Sequence, residues 1–308
     1  MASNLNKIST TVRSSVQLLS MRAAFQVGGL FNTRKTLRAA GRLFSTPFAN
    51  SRMRATQAPV GDARVTQCEI AGHTIATYTW GDPATQPYVL FAHGWSSHGT
   101  RFLPWVPRLR ALGYAVVAFD QPAHGRSSGR TTNLHVFAET LAAVARRFGP
   151  AKLLVGHSLG GAAASVALAH GLQAERVVLI APAADPVAAT ERFARVIALP
   201  QRLFTRLLRS FERQVGVTFD DLQAHHNAPC IARPALIVHD VEDREVPWSE
   251  GERYARYWPD SHLLSTQGLG HNRIAGDDTV IAAALRFLHG ETVGERVVSS
   301  PNLPYGFA

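Results

Sequence analysis

Residues Lys152-Leu153-Leu154-Val155-Gly156-His157-Ser158-Leu159-Gly160-Gly161-Ala162-Ala163-Ala164 decide the reading of this chain. The apolar run Leu153–Val155 suits a buried parallel strand and the alanine-rich stretch from Ala162 suits a helix, which leaves Gly156-His157-Ser158-Leu159-Gly160 on the turn between them. Glycines on both sides of a serine relieve the Cβ clashes of a strained strand-to-helix turn. The hydroxyl of Ser158 then projects above the sheet edge, with a helix N-terminus beneath it. A tight turn with an ordinary capping serine would use the same glycines, so the case for a nucleophile depends on partners.

A serine hydroxyl needs a base within hydrogen-bond reach and a carboxylate to orient that base. Two later loops offer them. After an apolar strand at Ala235–His239, the loop Asp240-Val241-Glu242-Asp243-Arg244-Glu245-Val246-Pro247 supplies two carboxylates, Asp243 as the expected acid and Asp240 as its competitor at the strand end. After a strand at His262–Ser265, the loop Gly268-Leu269-Gly270-His271-Asn272 supplies His271, with glycines that let an imidazole approach the serine. An acyl-transfer site also needs two N–H groups for an oxyanion. One is expected from Leu159, just after the serine, and the other from Trp95 in His93-Gly94-Trp95-Ser96-Ser97-His98-Gly99, the loop after the strand Tyr88–Ala92. His225 and His226 with Cys230 look faintly like metal ligands, but no further ligand completes a set at a recognised spacing. No metal and no cofactor is called for.

Around these loops, strands and helices alternate. Val65–Ile70 and His73–Trp80 read as a hairpin across Ala71-Gly72. Further strands are expected at Ala115–Phe119 and Arg176–Ile180, and helices at Arg101–Leu112, Leu134–Phe148 and Thr279–His289. The fold class is α/β, with a mostly parallel central sheet covered by helices on both faces. Between about 185 and 230 the alternation breaks. Phe193, Val196, Phe204, Leu207, Leu208 and Phe211 mark helices without strands, and Arg192, Arg195, Arg202, Arg206, Arg209 and Arg213 make them basic.

The net charge of +10 suggests an anionic partner until its distribution is examined. Residues 1–61 hold nine basic residues and no acidic one, while the remaining 247 hold 23 basic against 22 acidic. Nucleic acid is therefore not an expected partner. The acid-free segment has the composition of a mitochondrial transit peptide, and equally of short basic amphipathic helices, marked by Leu18, Met21, Phe25, Leu37, Leu43 and Phe44, that lie on a membrane surface or pack on the domain. An ill-ordered tail is the plain alternative. Its removal is expected to leave turnover of a dissolved substrate intact. Two distant cysteines, Cys68 and Cys230, point to a reducing compartment. The expected location is the cytoplasm, or the mitochondrion if residues 1–61 are a transit peptide.

From about residue 65 to 290 the chain resembles the α/β-hydrolase superfamily. His93-Gly94-Trp95, Asp120-Gln121-Pro122-Ala123-His124-Gly125-Arg126-Ser127, Gly156-His157-Ser158-Leu159-Gly160, Asp243 and Gly270-His271 stand in the family's order and rough spacing. The resemblance implies an α/β-hydrolase fold, with a basic N-terminal extension at 1–61, core at 62–184, a helical cap insertion at 185–230, core again at 231–290 and a C-terminal tail at 291–308. It also implies a serine hydrolase acting on a small-molecule acyl substrate. A serine at position 158 speaks against the epoxide hydrolases and dehalogenases of this fold, which use aspartate. The expected reaction is cleavage of a small to medium carboxylic ester through an acyl-enzyme, with Ser158, Asp243 and His271 as triad. A thioester, a C–C bond beside a carbonyl, and non-catalytic binding of a small ligand remain the alternatives.

Overall fold

The computed structural model describes residues 2–297, with side chains from residue 16 onward. Of the tail expected at 291–308, residues 298–308 lie outside the described residues.

Short apolar runs bounded by turn residues build one sheet. Arg64–Ile70 (β1) and His73–Trp80 (β2) form the edge hairpin. Ala71 and Gly72 both have positive φ, at 49° and 77°, the backbone of a two-residue turn whose twist matches the strands it joins. Tyr88–Ala92 (β3), Ala115–Phe119 (β4), Ala151–His157 (β5), Ala174–Ile180 (β6), Ala235–Asp240 (β7) and Ser261–Thr266 (β8) follow. Their order across the sheet is β1-β2-β4-β3-β5-β6-β7-β8. β2 runs antiparallel to β1 and to β4, and every other pair is parallel.

Both faces are buried, which explains why the central strands read as unbroken apolar runs. Successive side chains still alternate. Leu90, Ala92, Val117, Phe119 and Leu154 pack with Phe137, Leu141 and Val144 of the helix Leu134–Arg146 and with Ala162, Ala163 and Ala164 of the helix Leu159–Ala169. Val89, Phe91, Val116, Ala118, Leu153 and Val155 pack on the opposite face with Trp105, Leu109 and, from the helix Asp278–Leu288, Ile281 and Phe287. Each large side chain removed from water in this way contributes roughly 1.5–3 kcal/mol. The helix expected at Arg101–Leu112 is instead a 3-10 helix at Gly99–Trp105 followed by an α-helix at Val106–Ala111. Pro104 and Pro107 lack the N–H that a continuous α-helix would use.

The strand order sets the place of the chemistry. From β3 the chain steps to β4 on one side, and β5 then returns to the other side of β3. Loops leaving the C-terminal ends of β3 and β5 diverge there and leave a crevice, the usual ligand position of an open α/β sheet. The Trp95 loop and the Ser158 turn are those two loops.

The chain divides into two compact units, 47–185 with 220–308, which carries the sheet, and 1–46 with 186–219. The second is entirely helical in its regular structure: Ala2–Phe31, Thr33–Ser45, Pro186–Val196 and Gln201–Val215. Phe25 and Ala40 share one core with Ala194, Ile197, Leu199, Leu203, Leu207 and Phe211. The Phe44 ring lies 5.1 Å from that of Phe193 and 5.2 Å from that of Phe211. Gly29 packs where a Cβ would come within 2.8 Å of Pro200 Cγ, and its carbonyl accepts from Arg202 Nη2 at 2.7 Å. Residues 1–46 of the acid-free segment are thus part of a hydrophobic core that the inserted helices complete. Their removal, expected from the sequence to leave turnover of a dissolved substrate intact, would uncover that core. No helix among the described residues is long and apolar enough to cross a membrane.

Candidate active site

Ser158 sits between β5 and the helix Leu159–Ala169 with φ 55° and ψ −123°, a conformation costly for any residue with a Cβ. Its surroundings hold it there. Ser158 N–H continues the β5–β6 ladder to Ile180 O at 2.9 Å, while its carbonyl accepts from the N–H groups of Gly161 and Ala162. The flanking glycines are steric necessities: a Cβ on Gly156 would stand 2.7 Å from Gly160 O, and one on Gly160 would stand 2.3 Å from Ala92 O.

His271 lies on the one-turn helix Gly270–Arg273, after β8, three strands away from β5. Neighbouring strands are about 4.8 Å apart, so the loop must lead its imidazole back by roughly 14 Å. Gly268 and Gly270, with φ of 81° and 63°, make that turn. The imidazole is buried, with Nε2 2.9 Å from Ser158 Oγ and Nδ1 2.7 Å from Asp243 Oδ2. The tautomer that satisfies both contacts has its proton on Nδ1, donated to the carboxylate, and its lone pair on Nε2, accepting from the serine hydroxyl. His157 Nε2 donates to the carbonyl oxygen of His271 at 2.9 Å and supports the loop from below. Asn272 donates to Glu245 Oε1 at 2.6 Å and ties the histidine loop to the loop of the acid.

The two carboxylates of the β7 loop have different work. Asp243 accepts from the N–H groups of Glu245 and Val246 through Oδ1, which leaves Oδ2 for His271. Burial pushes its carboxyl pKa up, but hydrogen bonds from His239, His271 and Val246 together outweigh burial and hold it well below the usual range. Asp240 binds its own and the neighbouring loop: Oδ1 accepts from Glu242 N–H, and Oδ2 from Thr266 Oγ1 at 2.8 Å and Leu269 N–H at 2.9 Å. Burial acts upward on Asp240 as well, and these donors again prevail and lower its pKa.

Gly94 brings the β3 loop against the serine, for a Cβ there would stand 2.8 Å from Ser158 Cβ. Among the described residues neither Trp95 N–H nor Leu159 N–H donates a hydrogen bond. The conformation of the loop is imposed by two histidines to which sequence reasoning gave no role. His93 Nε2 accepts from Gln121 N–H at 2.9 Å and its Nδ1 donates to Gly94 O at 2.7 Å. His124 Nε2 accepts from Ser96 N–H at 2.9 Å and its Nδ1 donates to Pro122 O at 3.0 Å. Burial drives both pKa values down to about 3, so each imidazole is neutral and can accept a backbone proton. Asp120, buried beside them, accepts from Tyr78 Oη, Gly99 N–H and Arg126 N–H. The signal was present in the sequence, because His93, Asp120 and His124 all belong to the motifs that carry the family resemblance.

The histidine pair at 225 and 226 has a different third member from the one considered in sequence. Asp220 Oδ2 lies 3.0 Å from His226 Nε2 and Asp220 Oδ1 4.0 Å from His225 Nε2, while Cys230 Sγ turns to His226 O. These three side chains form a candidate cation-binding group at the surface.

A model of the Alpha/beta hydrolase family matches residues 89–284. A pimeloyl-[acyl-carrier protein] methyl ester esterase of Xanthomonas campestris pv. campestris is 38% identical over 249 residues, 65% of this chain and 93% of that protein. A namesake from Xanthomonas axonopodis pv. citri is 28% identical over 65% of this chain and 94% of its own length. Among solved structures, an esterase from Exiguobacterium antarcticum superposes with a TM-score of 0.58 at 17% identity, covering 74% of this chain and all (100%) of that one. The match of the family model over most of the sheet-bearing unit, together with the Xanthomonas campestris relative, shows that the chain belongs to the alpha/beta hydrolase family.

Proposed function

We propose that this protein hydrolyses a small to medium carboxylic ester through an acyl-enzyme formed on Ser158. The observation that carries the reading is the continuous path Ser158 Oγ to His271 Nε2, 2.9 Å, and His271 Nδ1 to Asp243 Oδ2, 2.7 Å, at a serine held in a strained turn. As Ser158 Oγ attacks the carbonyl carbon, its proton passes to His271 Nε2. Asp243 holds the ring in the required tautomer and stabilises the imidazolium that forms. The carbonyl oxygen becomes an anion that accepts from the N–H groups of Leu159 and Trp95, each worth about 10²- to 10³-fold in kcat. His271 returns the proton to the departing alkoxide, and the acyl group stays on Ser158. Water, deprotonated by the same Nε2, then attacks the acyl carbon and Ser158 leaves with its proton restored.

The substrate is a small-molecule ester. The named activity of the Xanthomonas relatives makes a methyl ester of an acyl chain the first candidate. The basic N-terminal segment gives peripheral contact with a membrane surface. A panel of methyl, ethyl and chromogenic esters, thioesters and β-diketones, assayed with wild type and Ser158→Ala, tests the function. Ester turnover that Ser158→Ala abolishes supports it. Faster turnover of thioesters or diketones would move the substrate class, and activity that survives the substitution would remove Ser158 from the mechanism.

A further inference from the structure

The positive charge of the chain belongs to one of its two units. Residues 1–46 and 186–219 hold 13 basic residues against two acidic ones, Glu191 and Glu212, whereas the sheet-bearing unit holds 19 basic against 20 acidic. Neither contributing segment alone has this imbalance in full. Packing the N-terminal helices with the inserted helices brings together what more than a hundred intervening residues separate in sequence.

The same unit exposes an apolar face. In the helix Ala2–Phe31, Met21, Phe25 and Gly29 recur every four residues and turn into the unit. A helix advances about 100° per residue, so Val16, Leu19, Ala23, Val27 and Leu30 lie on the side away from that seam, with Phe31 beside them. They are in solvent: Leu19 is 63% exposed, Leu30 67% and Phe31 85%. Residues 16–31 include one charge, Arg22, and it falls outside this face. Amphipathic helices ordinarily turn polar residues to water; this one turns leucine, valine and phenylalanine outward. Arg34, Lys35, Arg38 and Arg42 on the next helix, and Arg195, Arg206, Arg209 and Arg213 on the inserted helices, are exposed in the same unit.

We propose that the face formed by Val16, Leu19, Val27, Leu30 and Phe31 docks this protein on an anionic phospholipid bilayer. This rests on the reading of the basic segment as a membrane-contact element, and deepens it by naming the inserting residues and the lipid class. Large apolar side chains enter the boundary between head groups and acyl chains, and the exposed basic residues of the same unit attract it to lipid phosphates. An acidic protein would answer the charge but leave Leu19, Leu30 and Phe31 without an apolar partner. A second copy of the chain would answer the apolar face but bring two strongly basic units together.

The test is co-sedimentation of the full chain with vesicles of phosphatidylcholine alone or mixed with phosphatidylglycerol. Wild type is expected to bind mixed vesicles at least about tenfold more tightly and to be released by high salt. Leu19→Glu/Leu30→Glu/Phe31→Glu, folded by circular dichroism, should lose at least about tenfold of that binding and retain turnover of a dissolved ester. The triple serine variant at these positions serves the same purpose if glutamates disturb the helix. Anionic binding that survives both variants would overturn the docking face and leave electrostatic contact standing. Absence of any preference for anionic vesicles would overturn both. A dimer in sedimentation velocity that the variants dissociate would overturn the lipid assignment and make the face a contact between copies.

Discussion

His239 lies against Asp243, with its Nε2 3.5 Å from Asp243 Oδ2, the oxygen that also accepts from His271. The same Nε2 is 3.0 Å from Val246 O, so its proton goes chiefly to that carbonyl and leans toward the carboxylate. The ring fits because position 251 is glycine: a Cβ there would stand 2.3 Å from His239 Nδ1. His239→Phe, which keeps the volume and removes the donor, should lower kcat about tenfold with little change in KM. His239→Gln should recover part of the loss. Steady-state kinetics on folded variants measure both.

The acid is decided by comparing Asp243→Asn with Asp240→Asn. Removing the charge at Asp243 leaves the imidazole in the wrong tautomer, a loss of up to about 10⁴ in kcat. Asp240→Asn places an amide among three donors and should cost stability, roughly 1–3 kcal/mol, with a far smaller effect on turnover. Chemical denaturation and kcat, measured together, separate the two outcomes. The opposite ranking would make Asp240 the orienting residue.

Gly94→Ala should reduce kcat by at least about tenfold, because a methyl group 2.8 Å from Ser158 Cβ must push the Trp95 loop away from the serine. Thermal unfolding should change little, since the loop stays anchored through Ser96 and His124. Equal turnover in the variant would mean that the loop does not serve the reaction.

Stability should fall in acid between pH 6.5 and the low pKa values of His93 and His124, both about 3. In that range the unfolded chain binds protons at these positions and the folded chain does not, so lowering the pH favours unfolding. Each histidine contributes a slope of about 1.4 kcal/mol per pH unit. His124→Gln, whose amide oxygen can still accept from Ser96, should flatten the dependence by about one such slope. Urea denaturation at pH 6.5 and pH 5 measures it.

Arg206→Ala and Arg209→Ala should leave turnover of neutral esters within about twofold of wild type, because both side chains are exposed on the helix Gln201–Val215. Removing residues 1–46 should instead cause aggregation, since Ile197, Leu203, Leu207 and Phe211 would lose the residues that cover them. Size-exclusion chromatography of the truncated chain checks the second statement, and an intact monomer would refute it.

By itself the amino-acid sequence determined the order and type of most elements and the loops on which Trp95, Ser158, Asp243 and His271 stand. These are local matters: buried parallel strands need continuous apolar runs, and a strained turn beside another strand tolerates no Cβ at Gly156 or Gly160. Where the local signal was ambiguous the reading failed, as at Arg101–Leu112, where two prolines outweighed the apolar spacing. Only the tertiary structure decided which carboxylate faces His271, because Asp240 and Asp243 lie three residues apart in one loop and differ by the donors that neighbouring strands and loops bring to them. It alone brought Gln121 N–H to His93 and Ser96 N–H to His124, partners that lie 28 residues away along the chain in each case. The joining of residues 1–46 with 186–219 is of the same kind. An amphipathic helix displays an apolar stripe in its sequence, but what covers that stripe is settled by which surfaces meet when the whole chain has folded.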